Sequence, residues 1–490
     1  MGVVPAKHWA RTVRLGAAVL AAGLFTTAVP AGAADARLAA KARDALVRAA
    51  TFYSGLSVRG SYVWDYAADL SVRKGEGKAS PTTGWVQPPG TPAVGAAFLR
   101  VFEVTGDARW LDAARKAGEA LVETQLISGG WYYSIETNRT LQSAWCYRAR
   151  QITPEACEAM GENRVRNRTV LDDNNSQSAL LFLIELDRAL GGKDRAVHDA
   201  LLYGLEKIAQ AQYPSGAWPV MFDERPKMKD VPPAPAASLP DTWPRTWVKP
   251  EGGPYYILND NLVRDTVYLF LQAERHFDNP AFLRSATRAG EFLLKAQLPK
   301  PQRGWAQTYD EKMQPVWGRK FEPPAVASRE TAGAIACLIE LYGRTGDARL
   351  LDSAKEAADW LRSVQLPDGD WARFYELGTN RALYMSNDEQ LTYEAQDLLS
   401  HYGMKGRQSV PQALALVKEI DAGKPVRKRP PWPSVADRMT PSEVEERTRA
   451  LVATLDGQGR WVEDGWIRSA TFVDAVFVMA KFLDYAEDAP

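Results

Sequence analysis

The sequence has few histidines and cysteines and no excess of charge of either sign. Four histidines and three cysteines occur among 490 residues, and 60 Lys and Arg residues balance 60 Asp and Glu residues. His198, His276 and His401 are expected on outer helices or at their ends, so a Ser-His-Asp triad, a Cys-His pair and a His-ligated zinc site each lack parts. The absence of a basic excess argues against nucleic-acid binding, and an acidic ligand would need a local group of arginines.

The N-terminal segment has the order of a secretory signal peptide. Basic residues precede an apolar run at 15–29, and small residues follow at 31–33. The run is too short to span a membrane comfortably, and no later stretch is apolar enough to do so. We therefore expect residues 1–33 to be removed and residues 34–490 to form one monomeric, secreted or periplasmic domain without a membrane anchor.

Cysteine usage is compatible with export. Cys146 and Cys157 lie close together in a polar segment, and a disulfide between them is possible in an oxidising compartment. Cys337 lies within an apolar run and is expected to be a buried free thiol.

A helical hairpin unit recurs along the chain. Each copy ends in a loop with Gln, Gly and Trp, close to the pattern Q-x3-G-x-W, and the clear copies end at Trp131, Trp218, Trp305 and Trp371. Stretches ending at 461 and 64 resemble degenerate copies. Stacked hairpins of this length predict an all-α fold, an α/α toroid in preference to an open solenoid. We interpret the Gln and Trp as structural, with Gln bonding the open end of a neighbouring helix and Trp covering it.

The long segments after these loops point to one functional face. They run over 132–171, 219–258, 306–328 and 372–388. Since each follows a second helix and precedes the next first helix, all should open on the same end of the ring, where a binding site is expected.

Two helix starts that directly follow these segments carry similar acidic and amide residues. One reads Asp-Asp-Asn-Asn at 172–175, and the other reads Asn-Asp-Asn at 259–261. N-capping would need only one such residue at each start. Hard oxygen ligands favour calcium or magnesium, so Asp172, Asp173 and Asp260 are candidate metal ligands.

Arginines recur in a second motif, W-x-R-x-[FY]-E, at 317–322 and 371–376. Arg319, beside Lys320, and Arg373 could bind an anionic ligand whose carboxylates also reach the metal. Alternatively, the Glu three residues on fixes each guanidinium in an ion pair.

These motifs together resemble the pectate lyases of polysaccharide lyase family 10. The resemblance covers roughly 90–390 and rests on the stretches 90–95, 171–178, 211–219, 258–261, 304–310, 317–324 and 371–377. It implies an incomplete α/α toroid that cleaves polygalacturonate by calcium-assisted β-elimination.

Carried over by motif, the resemblance implies a role for each site residue. Asp172 and Asp260 would act on calcium or substrate, with Asn259 beside them. Arg319 would be the catalytic base and Arg373 a substrate ligand. The chain departs from the family after 379–381, where a second substrate arginine often follows; Arg381 or Arg329 could substitute for it, and cleavage of plain polygalacturonate depends on that contact.

Other functions are compatible with parts of the pattern. QxxxGxW repeats on a toroid resemble triterpene cyclases, but a D-x-D-D acid motif is absent and the expected mouth is polar. A glycoside hydrolase could use Asp172 and Asp260 as its acid/base pair. A non-catalytic pectin-binding protein would bind oligogalacturonate without turnover.

Overall fold

The computed structural model describes residues 31–160, 166–223, 234–249, 256–430 and 432–487. The predicted signal peptide lies outside these residues except at 31–33, so it stays a prediction. Among the described residues, no helix is both long and apolar enough to cross a membrane.

Helices dominate the described chain. Their bounds are α1 (Ala31–Gly55), α2 (Thr91–Thr105), α3 (Ala108–Glu123), α4 (Pro154–Glu158), α5 (Asn175–Ala189), α6 (Arg195–Gln210), α7 (Leu262–Phe277), α8 (Pro280–Ala296), α9 (Ser328–Thr345), α10 (Ala348–Ser363), α11 (Val410–Asp421), α12 (Pro441–Thr454) and α13 (Ser469–Glu487).

Short strands occupy the connections between hairpins. They are β1 (Asp65–Ala67), β2 (Arg73–Lys74), β3 (Thr83–Trp85), β4 (Ser134–Glu136), β5 (Thr169–Val170), β6 (Met221–Phe222), β7 (Tyr256–Ile257), β8 (Thr308–Tyr309), β9 (Ala325–Ala327), β10 (Trp371–Ala372), β11 (Phe374–Glu376), β12 (Ala382–Met385), β13 (Leu391–Thr392), β14 (Lys405–Gly406), β15 (Val462–Glu463) and β16 (Trp466–Arg468).

The hairpins form an inner and an outer layer. Helices α13, α2, α5, α7 and α9 pack against one another in that order, and α12, α3, α6, α8 and α10 pack on their outer sides. Inner helices are buried on most faces, whereas outer helices such as α3 bury only an amphipathic stripe. The predicted α/α toroid of helical hairpins is confirmed.

The sequence Thr-Gly-Asp defines the turn within two hairpins. Gly106 and Gly346 end α2 and α9 in the left-handed conformation, with φ of 69° and 73°. Asp107 and Asp347 then accept a hydrogen bond from the second backbone N–H of the next helix. The turn therefore ends one helix and starts the next within two residues.

A segment at 424–438 crosses the inner helices. Val426 lies against Gly343 of α9, and the Tyr268 hydroxyl of α7 donates to the Pro430 carbonyl. Arg429 lies 3.9 Å from Asp265 and 3.8 Å from Glu340. The arginine of this segment therefore lies near two acidic side chains of inner helices, which attract it.

The Gln–Trp loops join successive hairpins. Each indole N–H donates at 2.8–3.0 Å to a carbonyl in the last turn of the preceding outer helix: Trp131 to Leu121, Trp218 to Ile208, Trp305 to Leu293, Trp371 to Leu361 and Trp461 to Leu451. Three glutamines donate at 2.8–3.0 Å to the next outer helix: Gln125 to Ala200, Gln212 to Ser285 and Gln297 to Ser353. The structural interpretation is confirmed, with Trp rather than Gln bonding the open helix end.

The two degenerate copies differ in the hydrogen bond of their tryptophan. Trp461 makes the same bond as the clear copies, whereas the Trp64 indole donates to the Gln87 carbonyl at 2.7 Å instead of to α1. The stretch ending at Trp64 is therefore no copy of the repeat.

We predict that Gln212→Ala lowers thermal stability more than Gln365→Ala. The Gln212 amide is buried and donates to the carbonyls of both Gly216 and Ser285. Its loss leaves these carbonyls without that hydrogen bond, which lowers the free energy of unfolding by about 1–3 kcal/mol. Gln365 is exposed and bonds Gly369 within its own loop. Thermal unfolding of the two variants checks this; equal midpoints would contradict a role for glutamine between outer helices.

Candidate metal and substrate site

Strand pairs join the long loops to one another. Strand β5 pairs with β6, β7 with β8, and β9 with β11, each linking the connection after one hairpin to the connection after the next. The loops therefore share one end of the ring, as predicted, and the starts of α5, α7 and α9 lie beneath them.

The starts of α5 and α7 have the same backbone conformation. Asp173 (φ 50°, ψ 33°) matches Asp260 (φ 49°, ψ 33°), and the following Asn174 and Asn261 are also left-handed. Asp and Asn are the non-glycine residues that adopt this region most readily. Neither Asn174 nor Asn261 makes a side-chain capping bond, so plain N-capping does not explain the two clusters.

The two turns bring three carboxylates together. One oxygen each of Asp172, Asp173 and Asp260 lies within 4.8 Å of the others. The Tyr133 hydroxyl donates to Asp172 Oδ2 at 3.1 Å, and Gln87 Nε2 donates to Asp173 Oδ2 at 2.9 Å. The structure thus brings the three predicted acids together and adds two neutral donors that the sequence did not single out.

Burial and repulsion between carboxylates raise the pKa of two of these acids, Asp172 and Asp173. Burial, with the charge of Asp260, raises the pKa of Asp172 to about 6. Burial, with the charges of Asp172 and Asp260, raises the pKa of Asp173 to about 8. The fold holds these carboxylates close together, and a bound cation would reduce the repulsion between them.

The donor set fits a hard divalent cation. All three acids offer carboxylate oxygens, which calcium and magnesium prefer. Asn259 donates to Asp260 Oδ2 at 2.6 Å, and its own Oδ1 is buried without a hydrogen-bond partner among the described residues. These residues could therefore hold a metal ion, with Asn259 supplying a further oxygen.

Arg319 lies close enough for its charge to lower the pKa of both Asp172 and Asp173. Its Nε and Nη2 donate to Glu322 Oε1 at 2.7 and 2.5 Å, and Tyr402 flanks the guanidinium at 5.3 Å. Burial lowers the pKa of Arg319, but the hydrogen bonds and charge of Glu322 outweigh it and raise the pKa. The half-exposed guanidinium is oriented by Glu322 and firmly protonated.

Arg373 differs from Arg319 although their motifs match. It is 2% exposed, lies 3.4 Å from Glu330, and stacks on the Tyr402 ring at 4.0 Å. The motif's own acid, Glu376, instead accepts from Arg245 Nη1 at 2.5 Å. The guanidinium is buried and not open to a substrate in this structure, so its substrate-binding role stays a prediction.

Other predicted cations have different surroundings. Lys320 Nζ lies 3.1 Å from Glu389, and Arg381 stacks on Tyr393 at 3.7 Å. Arg329 Nη2 lies 3.6 Å from Asp260 Oδ1 and is thus the predicted substitute that contacts the carboxylates.

Two histidines and two cysteines have structural partners. His198 and His276 lie 3.1 and 2.7 Å from the buried Asp187 Oδ2, joining α5, α6 and α7. Cys146 and Cys157 form a disulfide, and Cys337 is a buried free thiol.

Comparison with solved structures finds similarity at low sequence identity only. No family model and no curated protein matches the chain. A mutant of the family 10 polysaccharide lyase from Cellvibrio cellulosa in complex with trigalacturonic acid is 16% identical, with a TM-score of 0.45 over 67% of this chain and 97% of that one.

Two further solved structures cover more of the chain. A D-mannose isomerase is 11% identical, with a TM-score of 0.47 over 94% of this chain and 100% of that one. An unsaturated glucuronyl hydrolase specific for heparin is 12% identical, with a TM-score of 0.42 over 93% and 99%. Similarity at this level concerns the arrangement of helices and does not identify an activity.

We predict that calcium stabilises the protein more at about pH 9 than at about pH 5. Asp173 has a raised pKa, so the folded state binds more protons than the unfolded state from about pH 4 to about pH 8, and stability without metal falls as pH rises through this window. Calcium binds the deprotonated acids and offsets the loss. Thermal unfolding with calcium or chelator at both pH values measures the effect.

Asp173→Asn should abolish most of the calcium shift and raise the stability of the metal-free protein at alkaline pH. Asp359→Asn, on the exposed outer face of α10, is the control and should leave the shift intact. An undiminished calcium shift in Asp173→Asn would contradict the assigned metal site.

Proposed function

We propose that the protein is an exported pectate lyase that cleaves α-1,4-polygalacturonate by calcium-assisted β-elimination. The observation that carries the proposal is the cluster of three carboxylates within 4.8 Å, with the charge of Arg319 acting on them. Oxygen ligands on one side and a guanidinium on the other suit the carboxylate of a uronate unit. The resemblance of the motifs to family 10 lyases supports the same activity.

The carboxylates and Arg319 have separate roles in the proposed reaction. In a uronate unit the proton on C5 is alpha to the carboxylate, so cationic groups around that carboxylate make it more acidic. A calcium ion held by Asp172, Asp173 and Asp260 would supply such positive charge. Arg319 takes the C5 proton, the C–H electron pair forms the C4–C5 double bond, and the bond from C4 to the glycosidic oxygen breaks. That oxygen leaves with a proton from solvent.

The Glu322 ion pair opposes the base role of Arg319. A guanidinium accepts a proton only after losing one, and Glu322 stabilises its charged form. Turnover is therefore expected at alkaline pH.

A second candidate, a non-catalytic uronide-binding protein, is favoured by one observation. The raised pKa of Arg319 suits an anion-binding cation better than a base. Such a protein would use the same cluster and arginine to bind oligogalacturonate without cleaving it.

A glycoside hydrolase is less compatible with the site. A glycosidase uses a pair of catalytic carboxylates. Here one oxygen from each of three acids lies within 4.8 Å of the others, and a hydrolase would have no role for the third acid.

We predict calcium-dependent release of unsaturated oligogalacturonides from polygalacturonate at alkaline pH, abolished by chelator. Arg319→Ala should remove activity, and Asp172→Ala or Asp260→Ala should reduce it strongly. Arg427→Ala is the control, since Arg427 pairs with Glu419 on the exposed surface. Ultraviolet absorbance of the unsaturated product is the readout. Full activity in Arg319→Ala would refute the assigned base, and binding without any turnover would favour the second candidate.

Glu322→Gln separates a base from a bound cation at Arg319. Removing the carboxylate charge lowers the pKa of the guanidinium, so the alkaline rise in kcat should begin at lower pH if Arg319 removes the proton. Rates over a pH series in saturating calcium check this. A lower kcat at every pH, with the alkaline rise beginning at an unchanged pH, would show that Arg319 acts only through its charge.

A further inference from the structure

A second cavity adjoins the loop that carries Arg319. It has a volume of about 190 Å³ and is lined in part by Arg245, Trp247, Trp317, Lys320, Asp388 and Glu389. Trp317 and Lys320 flank Arg319 in sequence, so one loop both lines this cavity and presents the candidate base.

Two tryptophans give the cavity a sugar-binding character. The Trp247 indole N–H donates to the Gly318 carbonyl at 3.1 Å, and the Trp317 N–H donates to the Pro244 carbonyl at 2.8 Å. With both N–H groups bonded, the indoles are fixed in orientation. Trp247 is 38% exposed and offers a rigid apolar surface of the kind that packs against sugar rings.

The cations of the cavity are already paired with acids. Arg245 Nη1 lies 2.5 Å from Glu376 Oε1, whose side chain is 4% exposed. Lys320 Nζ lies 3.1 Å from Glu389 Oε2.

Asp388 adds a further negative charge. Its carboxylate accepts from the Ser386 hydroxyl, and no cation pairs with it among the described residues. Among the described lining residues both cations are therefore paired and Asp388 is an unpaired acid, so a free uronate carboxylate would meet no unpaired cation in this cavity.

Building on the proposed function, we propose that this cavity is a subsite for an uncharged, methyl-esterified galacturonate unit. The proposed reaction requires a free uronate at the reacting unit, whereas the described lining of the adjoining cavity offers a carboxylate no unpaired cation. Met385 and Leu391 complete the lining and offer apolar contacts for an ester methyl group. The preferred substrate is then a partly methyl-esterified pectin and not fully de-esterified polygalacturonate.

Lyase rates on polymers of matched length and stepwise methyl esterification test the proposal. With calcium, wild type should be fastest at intermediate esterification. The double variant Asp388→Asn/Glu389→Gln removes two negative charges and frees Lys320, so its optimum should move toward the unesterified polymer, with a several-fold gain in kcat/KM there. Asp359→Asn is the charge-matched control on the outer surface. A wild type fastest on polygalacturonate, or an unmoved optimum in the double variant, overturns the subsite.

Calorimetry separates failure of the subsite from failure of the lyase. Trigalacturonate and its monomethyl ester are titrated in calcium into wild type and Trp247→Ala, at a pH that prevents turnover. Tighter binding of an ester isomer to wild type, lost in Trp247→Ala, supports the subsite even if no polymer is cleaved. Equal or weaker binding of every ester isomer overturns it, whatever the lyase assay shows.

Discussion

Electrostatic repulsion among Asp172, Asp173 and Asp260 is the constraint on which the site depends. Two helix starts with matching left-handed turns hold these acids within 4.8 Å of one another, and burial strengthens the repulsion. The rigid inner helices and the strand pairs above them keep the acids from separating. Like charges held together in this way could bind a cation between them, which is the basis of the proposed function.

A second network beside the carboxylates controls the arginines. Tyr402 donates to Glu322 Oε1 at 2.8 Å, flanks Arg319, and covers Arg373. One tyrosine thus helps to orient the exposed guanidinium while it closes off the buried one. Glu322, Tyr402 and the two arginines thus form one connected network beside the carboxylates.

The sequence predicts the repeated parts of the molecule well and the tertiary partners poorly. Hairpins and Gln–Trp loops recur, so each copy supports the others, and the convergence of the two acidic helix starts follows from the shared loop face. The left-handed turn was not predicted, because a cluster of Asp and Asn is also typical of N-caps. Tyr133 and Gln87 were missed because neutral donors in other loops carry no motif. The motif at 371–376 matches the one at 317–322, but this match could not show that Arg245, from a distant loop, would pair with Glu376.

The central claim is that the three carboxylates hold a cation that binds a uronate. A crystal structure of the Arg319→Ala variant with calcium and trigalacturonate, recorded with anomalous data, tests it most directly. We predict an ion bound by oxygens of Asp172, Asp173 and Asp260 and by a carboxylate of the sugar. Trigalacturonate bound elsewhere, with no ion at these three residues, would contradict the account.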